Sequence, residues 1–242
     1  MKRILLITIL LTVIAYLAVA FTLLSHQPTG RICQDIKVVV EDSASNCFIT
    51  SAEVKRLLKK NQMYPIGKLT DSIKCKNIEQ ALKRNTFIET AECFKTPAGN
   101  LCIYINQRLP ILRVMPHNGA SYYIDDKGLS MPGGGHAVHL PVATGHINRT
   151  MAEETLYKLA LLIRNDKFWD KQVEQINVTS EGEIELVPRV GDHILFLGKP
   201  VQIEQKLERI RTFYTEGLNR IGWNKYSRIN VEFDNQIICK RK

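Results

Sequence analysis

The sequence predicts an α+β protein: a single N-terminal transmembrane helix, a small α+β domain, and then a β-rich domain with flanking helices. Three observations carry this. Ile4 to Leu24 form an uncharged run, ILLITILLTVIAYLAVAFTLL. Between Ile36 and Gln107 the apolar spacing passes from strand to helix, helix, strand and strand, the pattern of a sheet with two helices on one face. Beyond Arg108-Leu109-Pro110, short alternating segments separated by turn residues dominate.

The N-terminal run is long enough for a bilayer. As a helix its residues rise about 1.5 Å each, against a hydrocarbon core of about 30 Å. Lys2 and Arg3 precede it and the next charge is Arg31, so the positive-inside rule keeps residues 1–3 in the cytoplasm and exports the remainder. Ala18-Val19-Ala20 matches a signal-peptide cleavage pattern, but apolar character continues through Phe21, Leu23 and Leu24, which favours a retained anchor. The expected organisation is a cytoplasmic tail at 1–3, the membrane helix at 4–24, a linker at 25–31, a first domain at 32–108 and a second at 109–242.

In the first domain, IKVVVED reads as a strand. Thr50-Ser51-Ala52-Glu53 is a capping box opening a helix with Val54, Leu57 and Leu58 on one face. Tyr64-Pro65-Ile66-Gly67 ends it, and Ile78, Ala81 and Leu82 mark a second helix. Strands at Ala91–Lys95 and Leu101–Gln107 flank the turn TPAGN. In the second domain, Ile111–Met115 and Tyr122–Ile124 read as strands, followed by the loop PGGGHAVH. Thr150-Met151-Ala152-Glu153 caps a helix striped by Leu156, Leu159, Ala160 and Ile163. QINVTSEGEIELVP is a hairpin turning at Glu181-Gly182, and HILFLG is a further strand. Pro200 suits the first turn of a helix striped by Ile203, Leu207, Ile210 and Tyr214, with Gly217 as its C-cap. INVEF closes the chain as a half-buried strand, with Ile229, Val231 and Phe233 alternating with Asn230, Glu232 and Asp234.

Composition is that of a globular protein, 45% hydrophobic and 24% charged, with a net charge of +9. The basic residues are scattered without interleaved aromatics, so nucleic acid is not an expected partner. Six cysteines follow the apolar run (Cys33, Cys47, Cys75, Cys93, Cys102 and Cys239) and none forms C-x-x-C, which argues against a redox motif or a zinc ribbon. Cys93 and Cys102 flank the TPAGN turn on an expected shared sheet face, where they could pair or lie diagonally, and buried free thiols are the favoured reading. Asp125 and Asp126 in YYIDDKG are adjacent carboxylates, but Asp-Asp-Lys-Gly after a strand is turn chemistry, and neighbouring residues rarely place two carboxyls across one bond. His136 and His139 sit in a glycine-rich loop, where helical ligand spacing does not apply. There is no nucleophile elbow, zincin motif or P-loop. The expectation is a non-catalytic protein with no cofactor, no metal and no small-molecule substrate: a tethered binding module.

QRLPILRV (107–114), YYIDDKGLSMP (122–132) and LPVATG (140–145) give the ordered series R-x-P, Y-x-(I/V)-D-x-x-G and L-P-x-x-x-G. In this series the chain resembles the FtsQ/DivIB family of bacterial cell-division proteins. The resemblance implies a polypeptide-transport-associated (POTRA) domain followed by a β-domain, in a single-pass inner-membrane scaffold at the division septum. It further implies two coiled-coil partners, FtsB-like and FtsL-like, held by strand addition at the C-terminal strand. The stretch matching that strand is Ile229, Asn230, Val231, Glu232, Phe233, Asp234, Asn235, Gln236, Ile237 and Ile238, with Tyr226 and Arg228 beside it. A sheet edge offers unpaired backbone groups to an incoming strand, which supports the same segment on physical grounds. The alternatives are another membrane-tethered POTRA protein, accessory to envelope assembly or transport, and an envelope enzyme with an unrecognised site.

Overall fold

A computed structural model describes residues 2–25, 30–41, 48–133 and 139–242; within the N-terminal helix, side chains are described from Leu10 to Phe21. Cys47, His136 and most of the expected linker lie outside the described residues. The chain divides into two compact units: Met1–Glu41 with Thr50–Asn85 and Thr90–Asn106, and Asp42–Ile49 with Thr86–Glu89 and Gln107–Lys242.

The first unit begins with helix α1 (Lys2–Ser25), 24 residues without a break. Leu10, Leu11, Val13, Ile14, Tyr16, Leu17, Val19 and Phe21 are all exposed on it. Among the described residues no helix is long and apolar enough to cross a membrane. Strand β1 (Ile36–Val40), helix α2 (Ser51–Lys60), helix α3 (Cys75–Lys83) and strands β2 (Ile88–Lys95) and β3 (Leu101–Gln107) follow in the predicted order. A 3₁₀ turn, Thr70–Ser72, precedes α3. The strands form a three-stranded sheet in the order β1-β3-β2, with β1 and β3 parallel. The capping box at α2 is present in both directions, Thr50 accepting from the Glu53 N–H and Glu53 from the Thr50 N–H. Val54 and Leu58 of α2 and Ile78 and Leu82 of α3 are buried, as their spacing requires.

In the TPAGN turn the Thr96 N–H donates to Asn100 O at 2.8 Å. The Phe94 and Tyr104 rings stack at 5.6 Å, so even-numbered positions on β2 and β3 share one face. Cys102 therefore lies on that face and Cys93 on the other, because successive strand residues alternate. This corrects the expectation of a shared face, while both cysteines are the buried free thiols that the sequence favours.

The second unit is built on a nine-stranded sheet. Its strands are β4 (Pro110–Pro116), β5 (Tyr122–Asp125), β6 (Ser130–Pro132), β7 (Val142–Gly145), β8 (Val173–Val178), β9 (Ile184–Pro188), β10 (Ile194–Gly198), β11 (Tyr226–Asn230) and β12 (Ile238–Arg241). They lie in the order β12-β11-β10-β9-β8-β7-β4-β5-β6. Short loops join the antiparallel pairs β4–β5, β5–β6, β8–β9 and β9–β10, and the longer connection 231–237 joins antiparallel β11 and β12. β4 and β7 are parallel with β5 and β6 between them in sequence, whereas the parallel pairs β7–β8 and β10–β11 need helical crossovers. The first crossover carries α4 (Tyr157–Asn165) and α5 (Lys167–Gln172), the second α6 (Ile203–Thr212) and the short α7 (Asn219–Ile221). Buried Leu159, Ile163, Trp169, Leu207 and Ile210 from these helices, with Tyr214 from the turn after α6, share one core with the inward residues of the strands.

Several local expectations change. Thr150 is already helical; the cap is Asn148, whose Oδ1 accepts the Met151 N–H at 2.8 Å. Pro200 lies outside α6, which starts after Gln202 in a left-handed conformation (φ 52°). Gly217 lies within a π-helical turn, Phe213–Leu218, and the helical segment ends instead at Gly222, whose φ of 97° favours glycine. INVEF is a strand only as far as Asn230.

Candidate partner-binding edge

YYIDDKG occupies a hairpin. The Gly128 N–H donates to Asp125 O, and Gly128 has φ 79° against the Tyr157 ring. Asp125 is 1% exposed, and its Oδ1 accepts the N–H groups of Leu129 at 2.7 Å and Lys127 at 3.0 Å. Its Oδ2 takes Arg108 Nε at 2.8 Å. Arg108 also donates to the carbonyls of Thr86, Leu129 and Ser130. The R-x-P and D-x-x-G motifs are thus two halves of one buried ion pair that closes the β5–β6 turn. Asp126 is separate from it: its N–H donates to Leu109 O and its carbonyl accepts the Tyr157 hydroxyl.

At the other end of this sheet, the predicted edge moves by one strand. Ile229 and Asn230 belong to β11, which is covered on one side by β10 and on the other by β12. The sequence reading missed β12 because ICKR carries no alternating signature; its pairing to β11 makes it a strand. The expected edge at Ile229–Ile238 is corrected accordingly. Of the named residues only Ile238 is on the edge strand, 49% exposed. Ile229 and Val231 are fully buried. Tyr226 is half-buried near the Phe213 ring. Arg228 turns across the sheet to Glu185 at 2.9 Å and lies over the Phe196 ring. Asn230 Oδ1 accepts the Glu232 N–H at 2.8 Å, and the Glu232 side chain packs at Gly198. Phe233 is 50% exposed, and Asp234, Asn235 and Gln236 are exposed in the β11–β12 connection. Ile237 is half-buried.

That connection is held from α6. Arg209 donates to Val231 O at 2.9 Å and to Phe233 O at 2.6 Å. Lys206, 1% exposed, donates to Leu197 O at 2.8 Å and Lys199 O at 3.0 Å, closing the end of β10. Burial pushes its ammonium below the usual lysine range. A lysine on the apolar stripe of a helix is invisible to periodicity, so no sequence signal finds it. The result is an open groove of about 750 Å³ between the outer side of α6 with its π turn (Glu208, Thr212, Phe213) and the connection (Asn235, Gln236, Ile237).

Among the described residues β12 is the last strand of the sheet, with no strand paired to its outer side. The Lys242 N–H donates to Lys225 O, so by the alternation of an antiparallel ladder the N–H groups of Ile238 and Lys240 also face β11. Those of Cys239 and Arg241 face away from the sheet. This is the geometry that accepts an added strand. Among the described residues no group of three or more His, Cys, Asp or Glu side chains is placed to hold a metal ion.

Residues 109–240 match the model of the FtsQ/DivIB, C-terminal related family. The chain belongs to that family. Residues 31–106 match the model of the POTRA-like domain. Together the matches support the FtsQ/DivIB resemblance carried by the three motifs and point to a cell-division scaffold family. A comparison with curated proteins returns no match. In this FtsQ/DivIB-related unit the motif residues Arg108, Asp125 and Gly128 build a turn, while the exposed edge and groove lie at β12.

Proposed function

We propose that this protein is a non-catalytic, single-pass scaffold of the bacterial division complex, exported beyond the inner membrane and acting at the septum. It binds FtsB-like and FtsL-like single-pass proteins at its C-terminal edge. The observation that carries the reading is β12, a terminal strand with outward N–H groups in the FtsQ/DivIB-related unit. A partner strand pairs with Cys239–Arg241, its side chains meet Ile238 and Phe233, and an adjoining helix of the partner enters the α6 groove. The exposed apolar face of α1 supports the membrane anchor.

The test captures the full chain from membranes beside two variants, one ending at Ile237 and one carrying Arg241→Pro. Proline at 241 removes an N–H that β11 does not use, so the sheet is kept while the incoming strand loses a donor. The expected result is that small coiled-coil membrane proteins co-purify with the intact chain, fall at least tenfold with Arg241→Pro and disappear with the truncation, while circular dichroism shows both variants folded. Undiminished capture by both folded variants places the site elsewhere. Capture of transport or outer-membrane assembly components instead supports a tethered accessory of envelope assembly or transport.

A further inference from the structure

Cys75, Cys93 and Cys102 lie in the POTRA-like unit, which also holds Cys33 with its thiol donating to Asp35 O, and the sheet separates the first three into a pair and a bystander. Cys75 is the first residue of α3. Glu79, one turn on and so on the same helix face, accepts the backbone N–H of Cys93 at 2.9 Å through Oε1. That bond sets the Cys75 face of α3 over Cys93 of β2, and the Cys75 thiol is one of the groups that raise the proton affinity of Cys93. Cys102 lies on the opposite face of the sheet with Phe94 and Tyr104. Cys93 is buried and Cys75 partly exposed, so one sulfur is within reach of a soluble oxidant and the other only of its neighbour.

We propose that Cys75 and Cys93 are a dithiol pair that closes to a disulfide stapling α3 to β2. The chemistry is thiol–disulfide exchange with a disulfide oxidant. The Cys75 thiolate attacks one sulfur of the oxidant, displacing the other as a thiol and leaving a mixed disulfide. Cys93 then loses its proton and attacks the Cys75 sulfur, releasing the second thiol. Two protein thiols become one disulfide, and the oxidant's disulfide becomes two thiols. Burial, with Cys75 and Glu79 beside it, holds the Cys93 proton far above the usual thiol range, so the second step is the slow one. The closed loop removes freedom from the unfolded chain and stabilises this unit. That the pair meets an oxidant in the cell rests on the exported placement; the pairing itself does not.

Purified full-length protein in detergent is incubated with oxidised glutathione and mapped by peptide mass spectrometry without reduction. The expected product joins the Cys75 and Cys93 peptides, two hydrogens lighter than their sum, and raises the Tm of the unit by several degrees. Cys102→Ser leaves the product unchanged. Cys75→Ser leaves Cys93 a thiol, and Cys93→Ser stops at glutathionylated Cys75. A Cys93–Cys102 product, or glutathionylated Cys75 beside a persistently reduced Cys93 in folded wild-type protein, overturns the proposal. Rapid alkylation in intact cells separates the two readings: a pair that closes in vitro but stays reduced in cells counts against export and leaves the pairing standing.

Discussion

Asp125 has the largest single consequence at the scale of residues. It is buried, its two oxygens are saturated by two backbone N–H groups and the Arg108 fork, and Arg108 in turn holds three carbonyls. Asn at 125 keeps the shape but leaves the guanidinium without its counter-charge. Breaking a buried pair from one side costs about 3–5 kcal/mol. Asp125→Asn is therefore expected to lower the urea midpoint of this unit by an equivalent amount with an unchanged m-value; a shift corresponding to less than about 1 kcal/mol would show that the pair is dispensable. His193 gives the pH response. Its Nε2 lies 2.6 Å from the Tyr214 hydroxyl, it is buried, and Asp192, Lys242 and the Trp223 ring are the other groups around it. Burial lowers its pKa below 6.5 despite the opposing pull of Asp192, while Lys242 adds to the lowering. The unfolded chain then binds a proton that the folded one refuses, so stability falls as pH drops from about 6.5 toward the folded pKa, by at most about 1.4 kcal/mol per pH unit. Tm measured from pH 7 to pH 5 should fall more steeply for the wild type than for His193→Gln, and parallel profiles would remove His193 from the account.

Elements are decided by what covers them. The strand INVEF was legible as an apolar–polar alternation, and Ile229 and Val231 do face the core. Its place in the sheet was not legible, because the pairing by ICKR comes after the irregular connection 231–237 and those four residues carry no signature. The C-cap was misplaced from Gly217 to Gly222 for a related reason: a π turn keeps the backbone helical past a glycine when Phe213, Tyr214 and Leu218 pack on the core. α1 is the reverse case. Its apolar run is readable anywhere, and the described side chains are exposed along it. The proposed anchor rests on that run in the sequence; among the described residues no helix is long and apolar enough to cross a membrane. The full chain is expected in the membrane pellet after alkaline carbonate washing, with removal of 1–25 releasing it to the supernatant; a full chain extracted by carbonate would refute the anchor.

For the molecule as a whole, local patterns were sufficient where structure depends on neighbours in sequence. They determined two successive regions, the α2 capping box, the Glu181-Gly182 hairpin, the D-x-x-G turn and the order of elements in the POTRA-like unit, because helix faces, caps and turns are made within a few residues. The family motifs are legible for the same reason, as they concentrate in the Arg108–Asp125 turn and its surroundings. Only the tertiary structure decided which strand is the free edge, that Lys206 and Arg209 are backbone anchors of α6, and that Cys93 faces Cys75 and turns away from Cys102. Each depends on a partner outside its own element, seven or more residues away, and a buried backbone group accepts whichever partner satisfies it, so spacing in the sequence does not reveal the choice.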